Sequence, residues 1–260
     1  VLVGVAACSA APRLDLPPRP VDAPTGSEFA RSVEGLDLET RDARIVTEVL
    51  RGNVPAWLRR LSRVTVDDGD EHVEFWVTPD YLAVGSDSDY LLTPMSPQAA
   101  QRIADRLEMS LPTPRMVDAI WAAAEVKLTP APIPPTPEMT TAPVFRAHSD
   151  SVLTQRRAVS APFGALTAGH KKDVVLTRDL GSNPGRVAIY GWHERNGEPI
   201  QPLYLGHTDR WVDYSHGIRL IDRTIRVSGT DVDLVAALRD PALARLLSRE
   251  GPYPTSPRYE

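Results

Sequence analysis

The sequence predicts an α+β fold, with a largely antiparallel sheet and flanking helices in a single domain behind an N-terminal tether. Three observations predict it. The second half carries three β-rich runs divided by turn formers: Lys172–Thr177, Arg186–Trp192 and Trp211–Ile221. Helical stripes with clear starts cluster before and after these runs instead of alternating with single strands. A chain of 260 residues, 42% of them hydrophobic, is long enough to bury one large core.

The elements follow in chain order. Residues 9–35 hold Pro12, Pro17, Pro18, Pro20 and Pro24 with almost no apolar periodicity, which predicts an extended tether. The domain is expected over residues 36–251. Thr40–Leu50 reads as a helix with Ala43, Val46, Val49 and Leu50 on one stripe, and Pro55 suits the first turn of a short helix. Val64–Val66 and Val73–Val77 flank Asp67-Asp68-Gly69-Asp70, the pattern of a hairpin, and Tyr81–Val84 continues as a strand. Ser96-Pro97 and Thr113-Pro114 each place a cap before a first-turn proline, so two helices begin there. Residues 129–143 contain six prolines and predict an extended strap crossing the domain. Asp231 and Asp240 open two final helices, and residues 252–260 read as a loose tail.

Charge narrows the function classes. Lys and Arg number 29 against 34 Asp and Glu, a net −5, so no basic field suits nucleic acid. No run of 18 apolar residues is present to span a membrane as a helix. The chain opens with a small, apolar run that ends Val5-Ala6-Ala7-Cys8, and Cys8 is the single cysteine. This segment resembles the lipobox of bacterial lipoproteins. The resemblance implies residues 1–8 as the remnant of a signal peptide, lipid on Cys8, membrane lipid as a partner and a cell-envelope location. A cysteine used in this way is no thiolate nucleophile. Two body segments, Phe75–Asp87 and Trp211–Leu220, resemble uncharacterised exported bacterial proteins, and no activity comes with that likeness.

Candidate chemistry concentrates between His148 and His216, where five of the six histidines lie. Histidine titrates near neutrality and ligates metals when neutral, and a neighbouring Asp fixes its tautomer. Strand alternation groups Asp213 with Ser215 and sets His216 on the more apolar face. His170, Asp173, His193 and His216 are expected to converge on one cleft, with Trp192, Trp211 and Tyr214 as ligand contacts. Such a cleft suits a hydrolase of a cell-wall peptide or glycan; the alternative is a non-catalytic lipoprotein that binds a ligand or scaffolds a complex. Within the hydrolase reading three chemistries stand open. His170, Asp173 and the Trp192-His193 pair loosely resemble zinc D,D-peptidases of the cell wall, which implies a divalent metal such as zinc, but Asp173 follows His170 by only three residues and the family spacing is missing. Ser215 could act in acyl transfer with His193 or His216 and an Asp. Two carboxylates among Asp80, Asp87, Asp89, Asp173 and Asp213 could cleave a glycan. Asp87-Ser88-Asp89 also resembles half of a calcium loop, without its Gly and final Glu. Arg156-Arg157 and Lys171-Lys172 could meet an anionic polymer, although a solvated charged face is the simpler explanation of such pairs.

Overall fold

The structure, a computed structural model, describes residues 11–69 and 71–260. Its helices are α1 (Gly26–Ser32), α2 (Leu38–Leu50), α3 (Pro97–Arg106), α4 (Pro114–Ala123), α5 (Ala142–Arg157), α6 (Leu234–Arg239) and α7 (Ala244–Leu247). Caps explain most of the starts. Ser96 and Thr113 accept from the amides of Ala99 and Met116, with Pro97 and Pro114 in the first turns. Helix α2 begins earlier than the apolar stripe suggests, because Asp37 caps it through the Thr40 amide. Asp233 rather than Asp231 caps α6, since Thr230–Asp233 is a strand paired with Thr224–Val227. Helix α5 has no counterpart among the expected elements. Its polar residues obscure the stripe of Phe145, His148, Ser149, Val152 and Leu153 that it buries.

Two sheets organise the α+β domain. The larger centres on the Glu71–Val77 strand, which pairs antiparallel with Ser62–Asp68 to form the expected hairpin and also takes Thr224–Val227 and Ile221–Asp222 as neighbours. The smaller runs Pro199–Tyr204, Ile189–His193, Lys172–Val174, His216–Gly217, and only its last pair is parallel. The expected strand over Trp211–Ile221 is therefore two short pieces. An Asx turn just before the first of them explains part of this, because Asp213 Oδ1 accepts from the Ser215 amide at 2.8 Å and takes the chain off the extended path.

Both ends of the chain depart from expectation. Residues 11–35 are body, not tether. Leu14, Phe29 and Val33 join the main core, and the Leu61 amide donates to Pro12 O at 2.9 Å. Proline leaves its own carbonyl and its neighbours' carbonyls free to accept. Arg59 donates to those of Leu16 and Pro17, and Arg19 to those of Ala23 and Pro24. At the far end Tyr253 and Tyr259 are buried, and the Tyr259 hydroxyl donates to Val175 O at 2.6 Å. The strap touches the domain through Ile133 and Met139 and contains one short 3-10 turn at Pro137–Thr140, while Ala142 and Pro143, expected in the strap, open α5.

Candidate functional site

The smaller sheet divides the candidate residues among three places. The first is closed. His170 and Asp173 lie beside Tyr81 and Arg219, all buried. The Tyr81 hydroxyl donates to Asp173 Oδ2 at 2.7 Å, and its ring packs edge-on against His170. His170 Nε2 stands 3.0 Å from Asp80 Oδ1, and Arg219 Nε stands 3.6 Å from Asp173 Oδ1. Burial raises the Asp173 pKa despite Arg219. Burial would raise Asp80 too, but the charge and contact of His170 outweigh it and lower it. Arg219 also covers the Tyr81 ring at 4.2 Å and donates to Thr78 O and Thr167 O. This network ties the larger sheet to the smaller one and offers no open face.

His193 belongs to a second place. Its Nε2 lies 2.9 Å from Asp118 Oδ1, which also accepts from the Tyr190 hydroxyl at 2.8 Å, while Arg249 donates to Asp118 Oδ2. Trp121 stacks on the imidazole. The carboxylate beside His193 is thus Asp118 from α4, not Asp173. No pattern in the α4 sequence distinguishes Asp118 from any other polar face residue.

The third place is an open cleft of about 510 Å³ between the strap and the edge of the smaller sheet. Pro135, Pro137 and Met139 form one wall; Lys172, His207, Trp211 and Asp213 form the other. His207 stacks on Trp211 at 5.3 Å with a 17° interplanar angle, and Tyr204 meets His207 edge-on. Lys172 Nζ sits 5.1 Å over the Trp192 ring. Asp213 accepts from the Ser215 amide and hydroxyl at 2.8 and 2.5 Å and from Trp211 Nε1 at 3.2 Å. Burial alone would raise the Asp213 pKa, but His216, the Ser215 bonds and Lys172 bring it down to about 2. His216 stands behind, in register with Lys172, its Nε2 4.0 Å from Asp213 Oδ2. Burial brings the His216 pKa down to about 4, so the ring is neutral at pH 7.

The expected convergence is therefore divided: His170 with Asp173, His193 with Asp118, and His216 with Asp213. Among the expected ligand contacts, Trp211 lines the cleft, while Trp192 and Tyr214 lie buried beneath the strap. The Ser215 hydroxyl donates to Asp213 and not to a histidine, so the serine–imidazole pairing expected for acyl transfer is not formed. Asp87 accepts from the Ala56 amide and Asp89 from Ser27 and Arg146, so both carboxylates of the half calcium loop brace the fold. Arg156 caps the Ala161 and Pro162 carbonyls, and Lys171 is buried, donating to Tyr214 O at 2.5 Å. Among the described residues no group of three or more His, Cys, Asp or Glu is placed to hold a metal. Cys8 lies outside the described residues. Of the cleft residues, His207 and Lys172 carry a readable signal in their neighbours, His207-Thr208-Asp209 and Lys172-Asp173. No family model, curated protein or solved structure matches the chain.

Proposed function

We propose that the protein is a lipid-anchored component of the bacterial cell envelope that binds a cell-wall polymer in the strap cleft. The observation that carries the binding reading is the open wall of Trp211 stacked on His207, flanked by Lys172 and the ionised Asp213. A flat apolar face with one fixed charge of each sign suits a zwitterionic, hydrogen-bonding chain such as a wall peptide or glycan. The lipobox resemblance at Cys8 supplies the envelope location and the lipid partner.

Hydrolysis is the second reading, and one observation favours it: a neutral His216 imidazole 4.0 Å from an ionised carboxylate. The same values weaken it, since an efficient acid or base titrates near the working pH and these two lie well below neutrality. Purified insoluble peptidoglycan should pellet the wild-type protein, and Trp211→Ala should lose about tenfold or more in affinity, in line with loss of an aromatic anchor. Trp121→Ala, away from the cleft, should pellet like wild type. Equal pelleting of Trp211→Ala, or none by the wild type, contradicts the proposal. Release of soluble fragments during the same incubation, lost in His216→Gln, would instead establish the hydrolase.

A further inference from the structure

The strap covers a small hydrophobic cluster that is separate from the main core. Phe145, Trp192, Val212 and Tyr214 form this floor, and Ile133, Met139 and Val144 pack on it. Between Ala131 and Thr140 only these two side chains, Ile133 and Met139, take part. The rest of the span from Pro132 to Glu138 is exposed.

The floor holds costs that the strap does not relieve. Trp192 Nε1 in the floor and both ring nitrogens of His216, behind Asp213, are buried without a hydrogen-bond partner, whereas His148 meets the main chain of Ala131 in the strap. Each such group costs free energy that a suitable ligand atom would recover. His148 faces Lys171, and burial together with that charge brings its pKa down to about 2, so its ring is neutral and can accept as well as donate. Trp192 also has φ +58°, a left-handed conformation that a bulky side chain rarely adopts. Backbone strain of this kind concentrates at ligand sites. Here it turns the indole out of the sheet and under the strap.

The manner in which the strap is held shows what the floor recognises. Ile133 N donates to the Tyr214 hydroxyl at 2.8 Å, and Tyr214 N donates to Met139 O at 3.0 Å. Over the floor itself the contacts are thus bonds to strap main-chain atoms and two aliphatic side chains of an extended, proline-rich segment. At the strap's two ends Gln155 bonds the Thr129 main chain, Arg195 donates to the Thr129 hydroxyl and Arg41 donates to Thr140 O. Main-chain bonds with pockets for spaced side chains are how protein surfaces bind extended peptides.

We infer that the floor formed by Trp192, Tyr214, Phe145 and Val212 is a groove for an extended peptide bearing spaced aliphatic side chains, and that the strap is its built-in, displaceable occupant. The inference rests on the wall-polymer reading and narrows that polymer to its peptide portion. Once the strap lifts, His148, His216 and Trp192 Nε1 become available to the entering chain, next to Asp213 and Lys172 of the open cleft.

Two measurements test it. Diethyl pyrocarbonate acylates exposed neutral imidazoles. Ile133→Ala should speed modification of His148 and His216 by about tenfold, as expected when a packed aliphatic anchor is removed, with His193 unchanged. Acceleration of all three together, or of none, overturns the inference. If Ile133→Ala does not fold, Met139→Ala serves the same purpose. In the wild type, the Ile133 amide should exchange with solvent faster than the α5 amides that open only on global unfolding; equal rates overturn it. The second measurement uses a labelled synthetic peptide of residues 129–143. It should bind the opened variant and not the wild type, and the same peptide carrying Ile133→Ala and Met139→Ala should not bind. Absence of binding to the opened variant, or equal binding by the altered peptide, overturns the inference. Peptidoglycan pelleting that still depends on Trp211 would then show that only this inference has failed.

Discussion

Asp213 is ionised in a nearly closed position because three donors and the Lys172 ammonium surround it, and that arrangement makes quantitative demands. Asp213→Asn keeps the shape but removes the charge that Ser215 and Trp211 donate to. Unfolding in urea should show a loss of ~1.5–3 kcal/mol, the range for hydrogen bonds to a charged group. The histidines beneath the strap set a pH dependence. His216 titrates at about 4 when folded and near 6.5 when unfolded; His148 is lower still. A depressed folded value means the unfolded chain takes the proton first. Stability is therefore full above pH 6.5 and falls as pH drops toward 4, by ~3 kcal/mol for His216 alone. Urea midpoints across that range should fall in the wild type and fall less steeply in His216→Gln, where only His148 still takes up a proton on unfolding. A flat wild-type profile would mean that the ring is solvated. At this scale the sequence was partly legible. Alternation put Asp213 beside Ser215, and they do touch, but through an Asx turn rather than along a strand. Asp118 was not legible, because a carboxylate on an exposed helix face looks the same whether or not a distant strand brings it a histidine.

At the scale of elements, helix starts were readable and strand lengths were not. Ser96-Pro97 and Thr113-Pro114 state their role locally, since a cap and a first-turn proline act within four residues. The strands of the smaller sheet are short because side-chain bonds and glycines break them, and those partners are distant in sequence. Gly217 shows the principle. A Cβ there would lie 2.5 Å from Tyr81 Cδ1 and 2.8 Å from Lys171 Cβ, closer than packed atoms permit. The glycine lets Tyr81 reach Asp173 across the joint between the two sheets. Gly217→Ala should therefore cost more than ~2 kcal/mol and lower the thermal midpoint, whereas Gly181→Ala, whose added Cβ would meet nothing closer than Thr255 Oγ1 at 3.6 Å, should cost far less. Equal midpoints would show that the joint can yield. Arg219 was the missed signal here: an arginine between Ile218 and Leu220 is an ionisable group in an apolar run, and it is the cation that holds the buried network.

Across the whole molecule, the N-terminal residues change the geometry of the proposed anchoring. The main-chain bond from Leu61 to Pro12 leaves four residues of separation from Cys8, at most ~14 Å of chain. A lipid on Cys8 would therefore hold the domain close to the bilayer, not on a long leash. Composition misread this stretch because proline excludes helix but not packing, and the arginines that bind its carbonyls lie both within it and some forty residues away. Removal of residues 1–35 should strip Phe29 and Val33 from the core and lower the thermal midpoint by about ten degrees, on the order of 3 kcal/mol at the ~2–4 °C per kcal/mol typical of this size; a midpoint matching the full chain would restore the tether. The envelope reading and the cleft meet in one experiment. The five tryptophans, Trp57, Trp76, Trp121, Trp192 and Trp211, each give an indole N–H signal in a nitrogen–proton NMR spectrum. On titration with a soluble disaccharide–peptide fragment of peptidoglycan, the Trp211 and Trp192 signals should shift while those of Trp57, Trp76 and Trp121 stay in place. Shifts confined to the other three, or none at millimolar fragment, would contradict a wall-polymer site in the strap cleft.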